Sequence, residues 1–463
     1  MVFQHYVGAL LVLLMITAVG IYSGKKVKNA ADFSTGGRSA GAGIVAGSLI
    51  GTLVGGASTI GTAQLAFSYG FSAWWFTMGG GIGLIVMALS FAKPLYRSGA
   101  STIAQIFERE YGRKVAITAA LLMSIGTFLS ITSQLLSGIS LITSVSEISS
   151  PAAVSLIVFL MLVYVVFGGV WGAGMVGIVK TILLYLAAVS CGIVSLQLSG
   201  GWTTLHTVLP ESTYFNLFAR GLWKDGGACL SLVFGVLTTQ SYIQAIVSAK
   251  SLKDAQLGAV AAGVLTPAIG IAGIFVGMYM RMAEPGLSPA AAMPVFILRH
   301  LPPLWGGIIL AALLAALIGT GAGLALGMSS MLCGDIIKPR CKTPLSDAAF
   351  LRVQRLIIVV ILASAGLFTF GNMGSVILSW SFMSMGLRGA VAFAPLLFCL
   401  YAPGRADRRF VLAAIIAGPL VVLAGNFVLP SEIDPLFPGI SVGLLLAAAG
   451  AVSSPKDSMK WKN

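Results

Sequence analysis

The sequence is poor in charge. Asp, Glu, Lys and Arg make up 9% of its 463 residues, against roughly 25% in an ordinary soluble domain. A water-soluble fold of this length needs more charge to cover its surface. Acid is the scarcer sign, with 14 Asp and Glu against 28 Lys and Arg. Those acids fall in loops or at the ends of apolar runs, and so do His5, His206 and His300. No carboxylate or imidazole therefore stands in the interior to relay protons. Cys191, Cys229, Cys333, Cys341 and Cys399 form no CxxC pair and no Cys/His cluster, which excludes a disulfide framework and a zinc site. The apolar runs hold no nucleophile–His–acid constellation, so an enzyme is not expected. They do not alternate in short segments either, which excludes a β-barrel. The first run, starting near Tyr6, lacks a basic leader and reads as a retained helix, not a cleaved signal.

What the chain has in abundance is hydrophobic length. Apolar residues are 57% of the total, gathered in runs of about 20 residues or more, enough to cross about 30 Å of hydrocarbon. Lipid offers the backbone no hydrogen-bond partner, so each run must be helical. The expected fold is an all-α polytopic membrane protein with about thirteen spans. These are α1 to α13, near 5–23, 40–69, 73–96, 114–146, 151–171, 174–198, 226–248, 256–281, 303–335, 353–372, 374–401, 409–429 and 436–453. Threading thirteen spans puts Lys25, Lys26, Lys28, Arg38, Arg97, Arg109, Arg113, Lys114, Lys250, Lys253, Lys338, Arg340, Lys342, Arg352, Arg355, Arg405, Arg408, Arg409 and the C-terminal lysines on one side. Basic loops stay cytoplasmic. The N-terminus is then outside and the C-terminus inside, in a plasma (bacterial inner) membrane. This sorting also explains the net charge of +14 without a nucleic-acid partner. The partners expected are the bilayer and a small-molecule solute, with the chain working as a monomer.

Two spans carry polar interruptions. In α2, GSLIGTLVGGASTIGTAQLAFSYG at 47–70 crowds Gly51, Gly55, Gly56 and Gly61 with Ser58, Thr59, Thr62 and Gln64. A packing face of small residues explains the glycines. A broken helix that turns carbonyls toward a cation explains the hydroxyls as well. In α7, FGVLTTQSYIQ at 234–244 is similarly polar. Five spans separate the two, so the second enters from the opposite side. Paired breaks in two inverted halves point to a binding site at mid-membrane. The chain then divides into an extra helix and loop (1–39), a first repeat (40–198), an outer loop (199–225), a second repeat (226–401) and a C-terminal pair of helices with a tail (402–463). In α9, AALLAALIGTGAGLALGMSS at 311–330 offers Thr320.

At this point the chain resembles the solute:sodium symporter family, which has the five-plus-five inverted-repeat fold of the LeuT type. The likeness rests on DFSTGGRS at 32–39, STIAQIFEREYGRK at 101–114, YVVFGGVWGAG at 164–174, TTQSYIQAIVSAKSLKDA at 238–255 and LPPLWGGIILAALLAALIGTGAG at 301–323, taken in order. The resemblance implies Na+ as coupling ion, held by the carbonyls of Ala57, Ile60 and Ala316 and the hydroxyl of Thr320. It makes Gln64 the leading substrate residue, with Ser58 and Gln240 near it. Three positions depart from the pattern. Gly319 stands where a second sodium-binding Ser is usual, Gly177 where many members have Asp, and Ala245 where Arg follows Gln244. The sodium site is thinned, and one ion per cycle is expected.

Two cations lie inside spans, where buried charge is expensive and usually functional. Arg388, near the middle of α11, has no buried acid to pair with, so its partners are carbonyls, water or a solute carboxylate. Lys180 on α6 either snorkels to the inner end or replaces the ion, coupling transport to protons or to no ion. The expectation is a sodium-coupled symporter of a small organic solute, anionic in character, such as a carboxylate or amino acid. The rivals are a proton-coupled or sodium-independent carrier built on Lys180 and, more remotely, a transporter-like membrane sensor, against which the lack of an appended signalling domain speaks.

Overall fold

A computed structural model describes residues 1–24, 38–340 and 346–453. Most of the signature-like loop at 32–39, Cys341, Lys342 and the C-terminal lysines lie outside the described residues. The described chain is helical throughout, and its apolar helices fall where the hydrophobic runs do. α1 is Phe3–Gly24. α2 is divided into Ala42–Leu53, a π-helical turn Ala57–Gly61, and Thr62–Tyr69. α3 covers Trp75–Val86, Met87–Phe91 and Ala92–Ser98. α4 is Arg113–Val145. α7 is Leu222–Thr238 plus Gln240–Val247, bent by 49° between them. α8 is Leu252–Ala283 and α9 Pro303–Met331, the latter extended by a π-turn Leu332–Ile337. α10 (Asp347–Phe370), α11 (Ile377–Tyr401), α12 (Arg408–Val428) and α13 (Leu436–Ser453) complete the set.

Between α4 and α7 the backbone is one helical run, Ser150–Leu198. Within it α6 (Gly177–Leu198) is long and apolar enough to span, and α5 (Ser150–Val165) is a shorter apolar helix. Tyr164 Oη and Lys180 Nζ lie 3.4 and 3.6 Å from the same point, where a Cβ on Gly319 would be. On a straight helix residues 164 and 180 would stand about 24 Å apart along the axis. The run therefore turns back on itself, in keeping with a count of about thirteen apolar helices.

The basic loops meet at one end of the bundle. Tyr96 Oη donates to Lys250 O at 3.3 Å, and Thr102 Oγ1 donates to Asp335 Oδ1 at 3.1 Å. Gly404 N donates to Glu110. Trp75, Ser72 and Tyr214 tie the opposite end. Trp75 Nε1 donates to Leu217 O at 2.6 Å, and Arg220 pairs with the fully buried Asp225 at 2.5 Å.

Small residues let the helices approach closely, as packing in lipid requires. Gly177 lies so near α2 that a Cβ there would be 2.3 Å from Gly47 O. Overpacking of this kind costs about 1–3 kcal/mol. Gly177→Ala is expected to lower the thermal midpoint of detergent-purified protein, read by tryptophan fluorescence. An unchanged midpoint would mean that α6 does not pack this tightly on α2.

Candidate cation seam and solute site

The α2 break is made by sequence. Val54 is extended, with φ −90° and ψ 98°, and ends the first half-helix. Gly55 and Gly56 follow. A Cβ on Gly55 would be 2.5 Å from Gln134 Oε1, and one on Gly56 would be 2.3 Å from Ser137 Cβ. Only glycine lets this backbone press so far into α4 and α9.

A break at this depth frees backbone groups that lipid cannot satisfy. Each partner is identifiable. Ser58 Oγ accepts from Gly55 N at 2.9 Å and donates to Gly55 O at 3.0 Å. Gln134 Oε1 accepts from Gly56 N at 2.8 Å. Thr59 Oγ1 donates to Gly55 O at 2.9 Å. Thr320 Oγ1, from α9, lies 3.1 Å from Gly51 O and 3.3 Å from Val54 O. Lys180 Nζ, from α6, donates to Gly51 O, to Ala316 O at 2.9 Å and to Thr320 Oγ1 at 3.0 Å.

Lys180 is thus buried, with no snorkelling path taken. It bonds two of the oxygens that the resemblance assigned to sodium, those of Ala316 and Thr320. Ala57 and Ile60 stand one turn further along, in the π-helical turn, where Ala57 O accepts from Thr62 Oγ1 at 3.4 Å. The carbonyls that turn toward α9 are those of Gly51 and Val54. Gly319 leaves the room that the lysine uses. Sodium does not fit this arrangement alongside the ammonium. Two unit charges 4 Å apart repel by about 4 kcal/mol at an effective dielectric of 20, and here they would share ligands.

At the α7 break Thr239 is extended, with φ −78° and ψ 123°. Its Oγ1 donates to Gly235 O at 2.5 Å and accepts from Arg388 Nη1 at 2.8 Å. Arg388, fully buried, also donates from Nη2 to Ser130 Oγ on α4 at 3.2 Å and to Ser384 Oγ at 3.0 Å, and from Nε to Ser384 O at 3.2 Å. Hydroxyls therefore occupy both arms of its fork. Among the described residues the ion pairs are Arg220–Asp225 and Arg299–Glu284, and neither involves Lys180 or Arg388.

The remaining candidates bond to the framework. Gln64 Oε1 accepts from Ile377 N at 2.9 Å, which caps the start of α11. Gln240 bridges Ser101 O at 2.9 Å and Ile103 N at 3.0 Å near the basic end. Gly51, Val54, Gln134 and Ser130 were missed from sequence. The glycine pair at 55–56 marks the break one turn early enough to have suggested the first two.

Two apolar helices broken at buried polar centres, within an all-helical bundle, are the architecture of LeuT-type transporters. The sodium:solute symporter family matches residues 33–418, and the chain belongs to that family. It is a membrane transport protein, and Na+ is the coupling ion of its family. The sodium/proline symporter of Staphylococcus aureus is 28% identical over 443 residues, 91% of this chain and 85% of that one. Among solved structures, a Na+-coupled sialic acid symporter in a substrate-bound outward-open state superposes with TM-score 0.81 at 19% identity, covering 98% of each chain. MhsT in complex with L-phenylalanine gives 0.58 at 15%, over 88% of this chain and 98% of the other.

Gln64→Leu leaves Ile377 N unpaired, at a cost of about 1–3 kcal/mol. The expected result is a lower thermal midpoint with the solute-induced shift retained. Loss of that shift at an unchanged midpoint would make Gln64 a solute contact instead.

Proposed function

We propose that this protein carries a small organic solute bearing a carboxylate, an amino acid or a carboxylic acid, across the membrane by alternating access. One observation carries the reading. Lys180 and Arg388 are buried at the two breaks, and no described acid pairs with either. Uncompensated charge in a low-dielectric interior is costly. A solute carboxylate supplies the balance. The named solutes of the relatives, proline and sialic acid, each carry a carboxylate group. A cavity of about 190 Å³ at the end opposite the basic loops is lined by Arg220, Lys224, Phe382 and Asp434, and would give such a solute a polar approach.

Because hydroxyls hold the Arg388 fork, a carboxylate reaches it by displacing Ser130 or Thr239, or is balanced through the field of both cations. Motion is of α2, α3, α7 and α8 against the rest, across repeats 40–198 and 226–401. Basic loops orient the chain with its N-terminus outside and C-terminus cytoplasmic, and the unit of transport is the monomer. In the first reading cation coupling follows the family's sodium, bound away from the oxygens that Lys180 holds. A second reading, sodium-independent carriage, is favoured by the three bonds of Lys180 at the ion's position.

The test is a thermal-shift panel of carboxylates and their neutral amides on purified protein. Carboxylates are expected to stabilise and amides not, by about 2.7 kcal/mol at a hundredfold excess over Kd. Arg388→Gln is expected to weaken binding of the responding acid tenfold or more, about 1.5–3 kcal/mol for a charged hydrogen bond. Equal stabilisation by amides, or unchanged affinity in Arg388→Gln, overturns the reading.

A further inference from the structure

The two buried cations occupy equivalent places in the two repeats. Lys180 is on α6, the fifth helix of the first repeat. It bonds the break in α2, that repeat's first helix, and Ala316 and Thr320 of α9, the third helix of the other repeat. Arg388 is on α11, the fifth helix of the second repeat. It bonds Thr239 at the break in α7, that repeat's first helix, and Ser130 of α4, the third helix of the other repeat. Exchanging the repeats exchanges one arrangement for the other. At α2 the cation meets a carbonyl freed by the break, and at α7 it meets the hydroxyl of the break residue Thr239; in both places it also bonds a hydroxyl from a helix of the opposite half.

We propose that Lys180 is a tethered replacement for sodium between α2 and α9, with Arg388 its repeat-related counterpart between α7 and α4, and that this chain binds no sodium at the α2–α9 seam. The ammonium has the charge of the ion and takes oxygens from both walls, as the ion would. Two neighbouring positions are shaped for it. Gly319 presents no hydroxyl, and its absent side chain leaves space 3.6 Å from Nζ. Gly177, one turn before Lys180, brings α6 against Gly47 of α2, so that the lysine reaches Gly51 O. Tyr164 is the titratable side chain facing the ammonium from α5, and neither the described part of α2 nor α9 brings an acid there.

The consequence concerns energy coupling. A tethered charge stays with the protein when the bundle moves, so a sodium gradient does no work at this seam. Net solute flux then follows the solute's own electrochemical gradient, exchange with solute on the far side, or a proton carried by Lys180 itself. The inference rests on the transporter reading but leaves the solute open.

The experiment is binding of radioactive 22Na+ to the purified full-length protein in detergent, with excess unlabelled Na+ or K+ as competitor. Wild type is expected to give no saturable Na+-competed signal. Lys180→Ala vacates the oxygens and is expected to gain one, and Lys180→Ala with Thr320→Ala to lose it again. Saturable, Na+-selective binding by wild type overturns the proposal. So does a monodisperse Lys180→Ala protein that binds no sodium. The wild-type measurement decides alone if the variants do not fold. Absence of 22Na+ binding together with a protein that responds to no carboxylate would sink the solute reading and leave this inference standing.

Discussion

A helix that breaks inside a membrane must find partners for the backbone groups it frees, and in α2 that requirement organises the centre of the molecule. Four residues, Gly51, Val54, Gly55 and Gly56, lose helical partners between them. Their N–H groups are answered by Ser58 and Gln134, and their carbonyls by Ser58, Thr59, Thr320 and Lys180. Every unsatisfied group in hydrocarbon costs several kcal/mol. The placement of α4, α6 and α9 around the break follows from this demand. So does the choice of glycine at 55 and 56, because the partners must come within contact of the main chain.

The partners are neutral except for one, and that exception sets the electrostatics of the core. An ammonium on three oxygens is well solvated locally, yet its charge remains unbalanced. Arg388 repeats the situation at α7, ringed by Thr239, Ser130 and Ser384. The acids that the chain does bury lie toward the ends. Asp225 is paired with Arg220, and Asp335 meets Thr102. The middle of the protein is thus cationic by composition, and a negative solute lowers its energy in a way that a neutral solute cannot.

Much of this was legible in the sequence. Hydrophobic run length placed the apolar helices, even across the Ser150–Leu198 run, where backbone continuity hides a reversal. The polar clusters in α2 and α7 marked the breaks, and Thr320 and Lys180 were identifiable because polar groups in apolar helices are few. The register of the break was not legible. Ala57 and Ile60 are the positions that the family pattern suggests, but Val54 leaves the helix first and the chain rewinds as a π-helical turn by Ala57. Nor could sequence show that Gln64 and Gln240 bond backbone groups of Ile377, Ser101 and Ile103, because those partners are 137 to 313 positions away in the chain.

The departures from the family pattern also belong together physically. A side chain at 177 has no room against Gly47, so an acid there would force α6 away from α2 and carry Lys180 off the Gly51 carbonyl. A serine at 319 would bring a hydroxyl into the space beside the ammonium, where Thr320 already serves as acceptor. Two glycines and a lysine are therefore one arrangement, and each is understandable only with the other two. Had Lys180 been a snorkelling residue, neither glycine would be required, since an ammonium at the membrane surface needs no close approach of α2 and α6 and no vacancy on α9. The two tight spaces at the mid-membrane break are what a tethered cation needs, and an exchangeable ion needs the reverse: more oxygens and an open way in.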